Sequence, residues 1–266
     1  MRKIQIVLLG VMLAVLGLCS YPILTALAVD RPSDSLSEEE QSILGSTVQI
    51  SLFPKDGTYY EQGLGTVVSF KGERLLVTHN HWSSLRNLDR VEFRNAKGQL
   101  LMELDQQEFK RLILYTQPGT LILKAPAELK SQTVELKPME GAREGDVVTV
   151  VYWVASDQSQ LGVFQAKVHA IVSFEKDVAY ELIASNGEKL AHGDSGGGVW
   201  LHGRYAGNLW AMENDTRGEL LSWMYSQTGY AAQFPSSFFQ IMEMGDSISQ
   251  SDEGARVGKH SEREVP

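Results

Sequence analysis

The chain has 266 residues, of which 43% are hydrophobic and 21% charged, and a formal net charge of -9. That is apolar material enough for one large domain or two small ones with a real core. The acidic excess gives no electrostatic reason to bind nucleic acid or anionic lipid, and both are set aside as partners.

Arg2 and Lys3 precede an apolar run from Ile4 to Leu18, which Tyr21 and Pro22 interrupt before Ala26-Leu27-Ala28 offers a small-x-small cleavage site. This order predicts a secretory signal peptide over residues 1–28. The alternative is an uncleaved anchor through residues 4–28, since about 20 apolar residues suffice to cross a bilayer. Either reading places the rest of the chain outside the cytoplasm, secreted or tethered to the outer face of the membrane. Cys19 is the only cysteine, and Leu18 before it is a poor fit for lipid modification. Removal of the segment leaves a chain without a thiol, which cannot form a disulfide and must stand on its core.

Residues 29–46 are polar and read as a linker, with Ser37 and Glu40 at capping-box spacing before a short helical piece. From Thr47 the texture changes to short β-rich runs: Val48 to Phe53, Gly65 to Phe70, Leu75 to Thr78, Val91 to Phe93, Leu100 to Leu104, Leu112 to Tyr115 and Thr120 to Leu123. A second series follows at Val147 to Val154, Val163 to Val172, Ala179 to Ile183, Gly198 to Leu201, Gly207 to Met212 and Leu220 to Met224. Turn signals such as Lys97-Gly98 and Arg143-Glu144-Gly145 punctuate them. Such a chain is all-β, a sandwich or barrel, not a βαβ protein. A connector near Ala125 to Met139 divides a domain over 47–245 into halves at 47–125 and 140–230. One helix is expected late, from Ser236 to Met244, and residues 246–266 have almost nothing to bury and read as a disordered tail.

The densest chemical signal is His192-Gly193-Asp194-Ser195-Gly196-Gly197-Gly198. An acyl-transfer enzyme needs an exposed serine hydroxyl beside backbone N–H groups that face the developing oxyanion. Glycines permit the sharp turn and the close approach of substrate; here Gly193 and Ser195 can supply the N–H pair, with Asp194 a structural carboxylate. The same residues satisfy Gly-x-Ser-x-Gly, but Val199-Trp200-Leu201 after them has strand texture, not the helix a nucleophile elbow requires.

The base is sought far off in sequence. His81 ends the run Leu75-Leu76-Val77-Thr78-His79-Asn80-His81, and Gly63-Leu64-Gly65-Thr66 upstream forms a glycine-flanked strand. Thr78-His79-Asn80-His81 and Gly193 to Gly197, in that order and at that separation, resemble the trypsin-like serine protease family, particularly its bacterial exported members. The resemblance covers about Thr47 to Met224. It implies two six-stranded antiparallel β-barrels with the active site between them, and a serine endopeptidase acting on protein or peptide substrates through an acyl-enzyme. Ser195 is then the nucleophile and His81 its base, with the backbone N–H groups of Gly193 and Ser195 as oxyanion hole. No metal or organic cofactor is implied. His79-x-His81 is half of a metal site without two further ligands, so His79 reads as an ordinary turn histidine; His169, His202 and His260 carry no motif.

One position departs from the family. The aspartate that orients the histidine normally heads a strand reading Asp-x-Ala-Leu, and the matching place before Thr120-Leu121-Ile122-Leu123 is Gly119. Asp105 is the preferred substitute, with Glu103 and Asp89 as further carboxylates and Thr120, water or a backbone carbonyl as uncharged orienters. Loss of that role costs about 10⁴ in turnover in the well-studied case. The alternative is therefore a catalytically impaired protease-like fold that binds or scaffolds. Lys189, six residues before Ser195, falls where the family often floors its specificity pocket, and a lysine there with His192 nearby would favour an acidic side chain. A solvated turn is the other reading of Lys189.

Overall fold

The computed structural model describes residues 36–57, 60–137, 141–154, 160–174, 177–185, 187–212 and 225–242. The leader over 1–28, the tail over 246–266 and the strand expected at Leu220 to Met224 lie outside them.

The described chain opens with α1, Glu38–Gly45, started by the expected capping box: Ser37 Oγ accepts the Glu40 N–H at 3.2 Å and Glu40 returns a carboxylate to the Ser37 N–H at 2.8 Å. Seven strands follow in the first half: β1 Thr47–Pro54, β2 Glu61–Phe70, β3 Glu73–Thr78, β4 Leu88–Asn95, β5 Leu100–Asp105, β6 Ile113–Gln117 and β7 Thr120–Lys124. They form one sheet in the order β5-β4-β1-β2-β3-β7-β6, to which the short β8, Val134–Glu135, adds a parallel pairing with β2. Its curl encloses Val48, Ile50, Leu52, Val67, Leu76 and Phe93. The ladder ends at β5 and β6, and α2, Gln106–Arg111, joins those two edges and inserts Phe109 into the same core. All seven runs read in this half form strands and β8 adds a short one, so the sheet has more strands than the six the resemblance implies.

The second half closes as a six-stranded barrel in the order β10-β11-β16-β14-β13-β9. Its strands are β9 Val147–Trp153, β10 Leu161–Phe174, β11 Asp177–Ala184, β13 Gly198–Leu201, β14 Arg204–Met212 and β16 Thr228–Gln233. Between them, β12 Leu190–Ala191 pairs with β15 Tyr225–Ser226. A core of its own fills the barrel, with Val148, Val150, Phe164, Val168, Leu182 and Val199 buried. The sequence gives little sign of β16, which reads Thr-Gly-Tyr-Ala-Ala-Gln. Small residues stand there because the seam is tight: a Cβ on Gly229 would overlap the Leu190 side chain, and one on Gly207 would overlap the Ala232 carbonyl.

A third apolar cluster joins the halves. Leu64, Val77 and Ile122 from the first sheet meet Val151, Trp153 and Trp200 from the barrel. Ile43 of α1 and Phe238 of the last helix, α3, over 236–242, seal it from opposite ends of the chain. At about 25 cal/mol per Å² of apolar surface buried, this shared core fixes one half against the other. Residues carried by both halves can then meet in a defined geometry.

Candidate active site

β3 ends in the histidine turn. Thr78 is fully buried and its Oγ1 donates to the Leu64 carbonyl at 2.6 Å, tying the strand end to β2. Beyond it Asn80 faces the β6–β7 turn, accepting the Gly119 N–H at 3.1 Å and donating to the Gln117 carbonyl. His81 then projects at the surface while His79 is 2% exposed. The two rings lie 4.0 Å apart, and His79 lies 3.9 Å from the Trp82 ring on tilted planes.

The turn that carries Ser195 comes from the other half, between β12 and β13, and it is stitched across the interface. Leu64 N–H donates to the Ser195 carbonyl at 2.8 Å. Gly196, with φ +87°, lies so close to β2 that a Cβ would overlap the Leu64 carbonyl and stand 2.6 Å from Thr78 Oγ1. No other residue type satisfies both demands. Asp194 is buried, as expected of a structural carboxylate, and accepts the Trp153 N–H at 2.8 Å and the Ala191 N–H at 2.6 Å. Burial pushes its carboxyl up to about 7, against the pull of those two donors. Gly193 has φ +104° and its carbonyl accepts Trp153 Nε1–H at 3.0 Å. Among the described residues, neither the Gly193 nor the Ser195 N–H enters a backbone hydrogen bond.

His81 and Ser195 line one cleft of about 350 Å³. Its remaining walls are mostly apolar: Leu190, Ala191, Leu209, Trp210, Ala211 and Met212, with His192 on the same cleft. Lys189 does not line it. That side chain is exposed, and the buried neighbour Leu190 takes the place beside the pocket. Among the described residues, the cleft thus carries no lysine to favour an acidic side chain. Burial lowers the His81 pKa below the ordinary value; the Glu61 carboxylate raises it, and His192 lowers it further. Its neutral, proton-accepting form therefore prevails at neutral pH.

None of the substitute carboxylates read from the sequence reaches this site. Asp105 is the N-cap of α2, accepting the N–H groups of Gln107 at 2.7 Å and Glu108 at 2.8 Å. Asp89 and Glu103 pair with Arg90 at 3.7 and 3.5 Å. Thr120 Oγ1 donates to Asn208 Oδ1 at 3.0 Å, and Asn208 Nδ2 donates to the Gly119 carbonyl at 2.8 Å. Amides thus hold the place of the expected aspartate. The reason is the turn itself: Gln117 pairs with Thr120, so Pro118-Gly119 is a two-residue hairpin whose second residue has φ +80°. Sequence reasoning missed Asn80, Asn208 and Glu61, because a single amide or carboxylate, in a turn or in a strand, has no motif of its own. Pro118-Gly119 was the one legible cue that a tight turn stood where the aspartate was sought.

The chain has the chymotrypsin-like fold of serine and cysteine proteases. It superimposes on the inactive form of Rv3671c protease of M. tuberculosis with a TM-score of 0.53 at 16% identity, covering 81% of this chain and 96% of that one. Tobacco etch virus protease in complex with product gives a TM-score of 0.54 at 13% identity over 80% of this chain and 84% of that one. An HtrA-type protease, AlgW, bound to a decapeptide gives 0.50 at 13% identity over 74% and 63%. No protein-family model matches the chain, and no curated protein matches its sequence.

Proposed function

We propose that the chain is an exported serine endopeptidase in which Ser195 is the nucleophile and His81 the general base. The observation that carries this reading is that the two, one from each half of the fold, line the same cleft. Ser195 Oγ attacks the scissile carbonyl as His81 takes its proton; the oxyanion forms against the Gly193 and Ser195 N–H groups. His81 then protonates the leaving amine, and water releases the acyl group by the same steps. Cys19 is the only cysteine and precedes every described residue, so the nucleophile of this fold is a hydroxyl. The apolar walls of the cleft suit an aliphatic or aromatic side chain before the cut bond. Export rests on the leader read from residues 1–28; among the described residues no helix is long and apolar enough to cross a membrane.

A second reading, a protease-like binding protein, is favoured by Gly119 in a hairpin that leaves no carboxylate there. Labelling of the purified domain by a fluorophosphonate separates the two. The peptidase reading expects labelling of wild type that both Ser195→Ala and His81→Ala abolish. A folded wild type that stays unlabelled leaves the binding protein.

A further inference from the structure

His79 has no part in the reaction just described, yet it is the least easily explained side chain near it. It is 2% exposed, and neither ring nitrogen has a hydrogen-bond partner among the described residues. A buried, unpaired polar atom of this kind is unfavourable. With neither nitrogen paired, the ring is held by packing, and what it packs against includes the ring of His81. Burial, with the nearby His81, holds its pKa well below the ordinary value, so the ring stays neutral.

The geometry around it is specific. One face meets the His81 ring at 4.0 Å and 34°, and Trp82 lies 3.9 Å away at 33°. On the β2 side there is room for the imidazole only because residue 63 is glycine: a Cβ there would stand 2.6 Å from His79 Nε2 and 2.6 Å from Trp82 Cη2. The same Cβ would stand 2.9 Å from the Ser195 carbonyl, so the ring is packed against the backbone that also carries the nucleophile turn.

We propose that His79 is the positioning residue for His81, its buried ring, seated against β2, backing one face of the general base in place of the missing carboxylate. This rests on the reading of His81 as base. A neutral ring face does not repel the imidazolium that forms when His81 accepts the Ser195 proton, and an aromatic face attracts a cation lying over it. It also walls one side of His81 from water. The other charged or titratable groups that face His81 are Glu61 from β2 and His192 from the nucleophile loop.

The test uses His79→Ala, which removes the ring, and His79→Phe, which keeps a flat ring without nitrogens. His79→Ala should lose roughly 10²-fold in kcat, the scale of a misplaced reacting group, with KM little changed. Its acid limb should move up in pH as His81 becomes hydrated; His79→Phe should retain most of the rate and the wild-type limb. Imidazole NMR titrations in a Ser195→Ala background read His81 without turnover, and they should show the same upward move for His79→Ala alone. A folded His79→Ala with unchanged kcat and unchanged His81 titration overturns the proposal. So does a folded His79→Phe as slow as the alanine variant, which would assign the role to a ring nitrogen. If His79→Phe does not fold, Gly63→Ala crowds the ring instead, and an unmoved His81 titration there overturns it as well. The labelling experiment fails separately: unlabelled wild type with a responsive His81 sinks the peptidase reading and leaves the positioning role standing.

Discussion

Restoring the expected aspartate by Gly119→Asp should damage this protein rather than improve it. Gly119 sits at φ +80°, where a residue with a Cβ costs about 1–2 kcal/mol. Its Cβ would stand 2.8 Å from the Ala232 Cβ and 3.2 Å from Trp210 Cγ, both in the barrel half. Overpacking of that kind adds about 1–3 kcal/mol. The two together predict a loss of roughly 2–5 kcal/mol, which at about 2–4 °C per kcal/mol for a domain this size lowers Tm by roughly 4–20 °C. Gly119→Ala carries the same Cβ without the charge, so the difference between the variants isolates the carboxylate. Thermal unfolding and the rate of fluorophosphonate labelling are the assays. A Gly119→Asp protein with wild-type Tm and labelling tenfold faster than wild type would refute the reasoning, because the hairpin would then accept the missing group.

Asp105→Ala removes the N-cap of α2 and should cost about 1 kcal/mol of stability with no change in labelling rate; lost labelling in a folded variant would return Asp105 to the site. Glu61→Gln removes the charge that raises the His81 pKa, so the acid limb of kcat/KM should move to lower pH, less so in high salt. A limb that stays put or moves up would remove Glu61 from the electrostatics of the base. Asp194 titrates in the fold at about 7 against 3.8 for a free carboxyl, so between those values the folded state holds the proton that the unfolded state has lost. Stability from this group is therefore greatest below 3.8, falls by about 1.4 kcal/mol per unit across the window and is flat above it. Unfolding of wild type and Asp194→Asn from pH 4 to 7 should show wild type losing stability relative to the variant as pH rises; a relative gain would contradict it.

The strands of the first half were legible because each is a short run of branched or aromatic residues between turn signals, as in Leu75-Leu76-Val77-Thr78 before His79. β16 was not, since Gly229, Ala231 and Ala232 are chosen for closeness at the seam and carry no strand propensity. α2 was missed for a similar reason: its six residues are polar except Phe109, too short for a helical period to show. In both places tertiary packing, not local preference, decides the residue types.

At the site, what was legible is what has a fixed spacing. Ser195 and its glycines form a motif because the turn demands them locally, and Gly196 shows the demand directly against Leu64. The groups around His81 have no such spacing, since Glu61 comes from β2 and His192 from the Ser195 loop, and they meet it only in three dimensions. His79 read as an ordinary turn residue by its place in sequence, yet it is more buried than His81 two positions later. The inversion follows from the strand's alignment with Gly63: β3 ends where β2 offers a vacancy the size of a ring, and His79 enters it. A carboxylate at residue 119 would need a left-handed aspartate crowding Ala232, whereas an aromatic ring at residue 79 needs only the glycine that β2 already has. The departure at Gly119 and the buried histidine are therefore read best as one arrangement, in which backbone geometry excludes one way of holding His81 and leaves room for another.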